Sequence, residues 1–251
     1  MKVFNPKGCC RHDVRLTFSV RRTGELLVSP VSGDFSAYES MSMTVEAFDW
    51  NVVVAGHWNP AILTPSGIGQ RLFGLKPGTP IRIDVSTDGL APYRVTHDEL
   101  TVTAETERLA VYAETPRYPL LDRAREVAAK AIVELPETPL MAAGFNVRLR
   151  IADPPDVLLE ATKCQIDNLL SDAGFSIGSR VLVRSMTIDD GMLNLSINEG
   201  NEITAVFNFH RQSSKRDELV AWLKYPIDKV EKIVSSVMES VIRVPMGEIG
   251  K

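Results

Sequence analysis

The sequence predicts an α+β fold, an antiparallel sheet with helices packed on one face. Three observations lead there. Short stretches alternate apolar and polar residues between turn-forming residues, the pattern of strands with one covered face. Two long stretches carry apolar residues at helical spacing, and the same order of elements runs twice after residue 42.

The first pass through that order occupies residues 43–137. Residues 44–56 (TVEAFDWNVVVAG) form a β-rich stretch ending in glycine. Thr64 followed by Pro65 offers an N-cap and a proline at the first helical position, so a short helix is expected to about Phe73, stopped by Gly74. Strands follow at 80–86, 93–96, 99–103 and 108–112, the first two separated by a turn at Asp88 and Gly89. A helix closes the half, with Leu120, Leu121, Ala124, Val127, Ala128, Ala131, Ile132 and Leu135 along one stripe.

Residues 138–251 retrace the path. The strand at 145–151 begins like residues 50–54, and Asp153-Pro154 repeats the junction of cap and proline. A helix then runs through Leu158, Ala161, Cys164, Gln165, Leu169 and Leu170 to Gly174, with Cys164 expected as a small buried apolar group. Strands at 180–183, 193–197 and 203–209 precede a final helix from about Lys215 to Ile242, bent at Pro226. Each half thus reads strand, helix, antiparallel meander, helix. Over residues 44 to 242 this order resembles the helix-grip or TATA-binding-protein-like architecture, which implies a sheet wrapped on helices and two copies side by side. The resemblance carries no motif, so it implies nothing about activity.

The 251 residues are 44% hydrophobic, 24% charged and 7% aromatic, with formal net charge −4, which excludes wholesale disorder and a disulfide-stapled miniprotein. Apolar runs stay far below the roughly 20 residues of a membrane span. Residues 1–42 form a leader unlike the rest. Its first 40 residues hold six Lys/Arg against four Asp/Glu, leaving 22 against 28 for the remainder. Within it, residues 15–20 and 25–29 read as two short strands. Met41 and Met43 stand just before the first convincing strand, so translation is expected to start at one of them rather than at Met1. Cys9, Cys10 and Cys164 have no metal-ligand spacing, and the cytoplasm is the expected location.

No nucleophile, metal or phosphate motif has its required spacing, and no cofactor is expected. Ser66 in the string PSGIG lacks the lysine of a phosphate loop, and His57, His97 and His210 lie in three separate elements. The expected function is a binding or protein-interaction module rather than an enzyme. A protein partner or a second copy would use the C-terminal helix or a sheet edge. Two alternatives keep named residues. His57, Trp58 and Asn59, where the first strand leaves the sheet, offer proton exchange, stacking and amide hydrogen bonds to a ligand, as in an enzyme of unrecognised type. Arg148, Arg150, Arg180 and Arg184 sit at alternate strand positions, and on one shared face they would suit nucleic acid; the acidic balance argues against that partner.

Overall fold

Alternation of apolar and polar residues along the chain gives ten strands among the described residues, all joined in one antiparallel sheet. The computed structural model describes residues 45–87, 91–247 and 249–250. The leader with its two strands, Cys9, Cys10 and the alternative starts at Met1, Met41 and Met43, and the turn at Asp88 and Gly89, lie outside the described residues.

The strands are β1 (Val45–Ala47), β2 (Asn51–Gly56), β3 (Arg82–Asp84), β4 (Arg94–His97), β5 (Leu100–Ala104), β6 (Arg108–Ala113), β7 (Leu140–Ile151), β8 (Arg180–Ile188), β9 (Gly191–Glu199) and β10 (Ile203–Gln212). Their order across the sheet is β3-β4-β5-β6-β2-β7-β10-β9-β8, with β1 beside the far end of β7. Two meanders therefore meet where β2 runs antiparallel to β7, Val52 opposite Phe145 and Asn51 opposite Asn146. All neighbouring strands are antiparallel, and one face of the sheet is covered.

The covering helices follow from capping and proline. Thr64 caps α1 (Pro65–Gly67) as the sequence predicts, its hydroxyl accepting from Gly67 N at 3.1 Å, and a π-helical turn, Ile68–Leu72, continues it. Then come α2 (Tyr118–Glu134), α3 (Asp156–Thr162), α4 (Gln165–Asp172), α5 (Arg216–Leu223) and α6 (Ile227–Ser236), the last extended by a π-helical segment, Val237–Ile242. Four expectations need correction. The second half's first helix is two helices, because Lys163 and Cys164 are extended. The residue before α3 is Pro155, two positions beyond the expected cap at Asp153. Cys164 is exposed, and its backbone N–H and thiol both meet the Asp167 carboxylate, at 3.3 and 3.4 Å, in a capping box. Pro226, which lacks an N–H, separates α5 from α6 instead of bending one helix.

The core lies between the sheet and α2, α5 and α6. Phe145 stacks on Phe209 with centroids 4.8 Å apart and meets Trp222 of α5 at 6.2 Å. Above Phe145 sits the guanidinium of Arg125 from α2, 5.0 Å from the ring centroid and only 2% exposed as a residue. It donates to the Tyr225 carbonyl at 2.6 Å and pairs with Asp122. Gly191 is where the sheet admits Trp222, since a Cβ there would come within 2.4 Å of the indole. The apolar stripe of the last helices is used in this packing, with Trp222, Val230, Val234, Met238 and Ile242 all buried.

A carboxylate fastens α5 to β10. Glu218 accepts from Arg211, Lys215 and Ser213, each at 2.9 Å, and these donors, Arg211 first, hold its carboxyl down from the usual 4.5 to about 2.

Phe145→Ala is expected to cost about 3–5 kcal/mol of stability, read from urea unfolding, because the deletion opens a cavity at the meeting of both meanders. The Glu218 carboxylate stabilises the fold above its unfolded-state value and loses that contribution as pH falls towards its folded-state value. Urea midpoints measured between about pH 5 and pH 2 are therefore expected to fall less steeply for Glu218→Gln than for the wild type.

Candidate functional site

The strand–helix junction is built as a plug. The Trp58 indole is 2% exposed and donates to the Val54 carbonyl at 3.0 Å, while its backbone N–H donates to Thr106 O at 2.8 Å. Asn59 is exposed and turns the chain, its Oδ1 accepting from Ala61 N at 3.0 Å and its carbonyl from Ile62 and Leu63. His57 is exposed and held only through its backbone N–H, bonded to Pro139 O at 2.9 Å. A depression of about 670 Å³ lies close by, lined by Thr64, Ser66, Gln70, Arg71, Lys130 and Glu134 among others, and none of His57, Trp58 and Asn59 lines it. The histidines do not converge: His97 meets Phe73 at 5.4 Å on the covered side of the sheet, whereas His210 lies in register with Gly144 and Met192 on the open side. Among the described residues no group of three or more His, Cys, Asp or Glu side chains is placed to hold a metal.

The open face carries a feature that sequence reasoning missed. Asn51, Asn146, Asn208 and Asn194 stand opposite one another on β2, β7, β10 and β9. Their amides form a chain: Asn146 Nδ2 donates to Asn51 Oδ1 at 2.8 Å, Asn208 Nδ2 to Asn146 Oδ1 at 2.9 Å, and Asn194 Nδ2 to Asn208 Oδ1 at 3.1 Å. Ser185 of β8 ends it, donating to Asn194 Oδ1 at 2.7 Å. The signal was one asparagine at an outward position of each strand, invisible until the register aligns them.

Register also separates the arginines. Arg148 and Arg150 alternate with the buried Val147 and Leu149 and lie on the open face. Arg180 lies opposite Glu199, which itself is opposite the buried Ile203, so Arg180 and Arg184 belong to the helix-covered side. The four therefore form no common surface. Three of them are also neutralised. Arg148 binds Asp49 at 2.6 Å, Arg150 binds Glu202 and Glu46 at 2.7 and 2.8 Å, and Arg180 binds Asp167 and Glu199 at 2.6 and 2.9 Å. The Arg180 guanidinium accordingly holds the Asp167 carboxyl below the usual carboxylate range.

Among the described residues, what remains open is the edge of the sheet at β8. This strand has nine residues and, among the described residues, one neighbour, β9. The two-residue turn at Asp189 and Asp190 makes Ile188 and Gly191 a hydrogen-bonded pair, so Val181, Val183, Ser185 and Thr187 turn their backbone groups to the free side. Their side chains are exposed, Val181 at 61% and Val183 at 52%. In the preceding segment, α4 buries no residue, and Ile166, Leu169 and Phe175 are each more than half exposed. The ion pair between Asp167 and Arg180 ties α4 to the start of β8.

Comparison with known proteins is uniform: no protein-family model, no curated protein and no solved structure matches the chain. No helix among the described residues is long and apolar enough to cross a membrane.

Trp58→Ala is expected to lower stability by about 3–5 kcal/mol through the cavity it leaves, whereas His57→Ala is expected to stay within about 0.5 kcal/mol of wild type. Thermal and urea unfolding of both variants checks the division of the junction into anchor and exposed side chain.

Proposed function

We propose that the chain is a non-catalytic protein-interaction module that docks a partner on β8 and the neighbouring apolar side of α4. The observation that carries this reading is a nine-residue edge strand, unpaired on one side among the described residues, beside large exposed apolar side chains. Monomeric proteins protect such edges and bury such patches, and where they do not, the patch marks an interaction site. Sheet edges bind through backbone hydrogen bonds and draw specificity from alternate side chains.

The same reading takes the chain as two tandem related halves, in the order that resembles the TATA-binding-protein-like architecture. It is supported by the sheet order, in which β6-β5-β4 flanks β2 as β10-β9-β8 flanks β7. On that correspondence β4 and β8 are equivalents, and β4 carries β3 on its outer side while β8 carries no strand there among the described residues. The docking position is thus the place that the chain fills for itself in its first half. A cytoplasmic setting fits the free, exposed thiol of Cys164.

Affinity capture from the native host by the full chain tests this. Val183→Lys combined with Leu169→Glu is expected to reduce recovery of the captured partner by more than about tenfold, as loss of a buried apolar anchor does, while His57→Ala leaves it unchanged. Undiminished recovery by the double variant, with its fold intact by circular dichroism, overturns the assignment.

A further inference from the structure

Arg184 sits at the middle of β8, exposed, and its Nη1 donates at 2.8 Å to Val183 O, a carbonyl on the free side of the strand. Among the described residues it has no carboxylate within salt-bridge distance, unlike Arg148, Arg150 and Arg180. On the interaction reading given above, we infer that the occupant of this edge is an extended peptide strand bearing a carboxylate opposite Arg184.

Charge decides against a second copy. Pairing β8 antiparallel with itself over most of its length centres the twofold axis on Arg184, on Val183 or on Ser185. The first register sets Arg184 directly against its own symmetry mate, and the other two leave the pair diagonally adjacent. Like charges in those positions are destabilising, whereas an opposite charge there is favourable. An arginine in mid-strand therefore acts as a filter, discouraging self-association and admitting an acidic strand. Hydrogen bonds for the incoming strand come from the free-side groups of Val181, Val183, Ser185 and Thr187. Its apolar side chains on the open face meet Val181 and Val183, while its carboxylate lies on the opposite side of the strand, beside Arg184.

The test uses the full chain and synthetic peptides matched to the nine residues of β8. The probe is acetylated Thr-Val-Thr-Val-Glu-Val-Thr-Val-Thr, fluorescently labelled, with three companions: one in which Lys replaces Glu, and two N-methylated at alternate backbone nitrogens, one in each phase. The Glu peptide is expected to bind roughly fivefold more tightly than the Lys peptide, a ratio of the size given by one cross-strand charge pair. Arg184→Glu is expected to invert that preference. The N-methylated peptides are expected to lose binding in the phase that faces β8, and hydrogen exchange to slow at Val181, Val183, Ser185 and Thr187 when the Glu peptide is bound. Equal binding of both N-methylated peptides, or no preference between Glu and Lys, overturns the inference, as does a concentration-dependent dimer of the wild type in sedimentation that slows hydrogen exchange at the same four residues. If no peptide binds while the double variant at Val183 and Leu169 still loses its captured partner, the strand inference fails and the interaction module stands.

Discussion

Everything in this fold hangs on the pairing of β2 with β7. β2 has six residues, and it alone carries the meander of β3 to β6 into the rest of the sheet. Backbone hydrogen bonds alone contribute little net stability at so short a seam. The seam is therefore fastened from both faces. On the open face Asn146 donates to Asn51 across the junction. On the covered face Phe145, opposite Val52, lies under Arg125 of α2, which also reaches the Tyr225 carbonyl just beyond α5. A helix from one half is thus bonded to the chain of the other directly over the seam. Burying a guanidinium carries a desolvation cost of several kcal/mol. Here an aromatic face, a carbonyl and the Asp122 carboxylate offset it together, so loss of any one leaves the charge only partly compensated.

That central fastening leaves the two ends of the sheet unequal. At one end β3 is three residues long and its Arg82 is tied to Thr96 and Glu114, so the edge is short and charged. At the other, β8 is three times that length, with Val181, Leu182 and Val183 in a row and Met186 and Ile188 beyond Arg184. Short, charged edges are how sheets avoid unwanted pairing. The contrast within one molecule gives β8 its meaning, because the same chain shows what a protected edge looks like. Arg184 is the part of β8 that still follows the protective rule, a charge in the middle of a long strand with exposed valines.

Much of the architecture was legible in the sequence, since period-two alternation and helical spacing are local properties. Among the described residues strands fell at the expected stretches, and Thr64 capped its helix. Cys164 was misread because its helical spacing with Leu158, Ala161 and Leu169 is kept on both sides of a break, and spacing cannot show that Lys163 and Cys164 leave the helical region. The junction at His57, Trp58 and Asn59 was legible only as unusual letters. Its glycine and tryptophan serve closure, Gly56 N bonding to Glu107 O and Trp58 sealing the end of the sheet.

The arginines show why the candidate surface was not legible. Alternation states which residues share a face within one strand, but relating the faces of two strands requires register, and a shift of one residue reverses every assignment. β7 and β8 are connected through β10 and β9, so three registers had to be known before Arg148 and Arg180 could be compared. The two-residue turn at Asp189 and Asp190 fixes the last of them and sends Arg180 to the helix side. The same turn sets which backbone groups of β8 are free. An open edge has no residue type of its own; it is a property of the strand that is absent beside it. β8 and β9 are both nine-residue strands of mixed apolar and polar residues, yet β9 lies between two neighbours and β8, among the described residues, ends the sheet. Recognition at such a place is written in topology first, and only the choice of charge at Arg184 is written in the sequence.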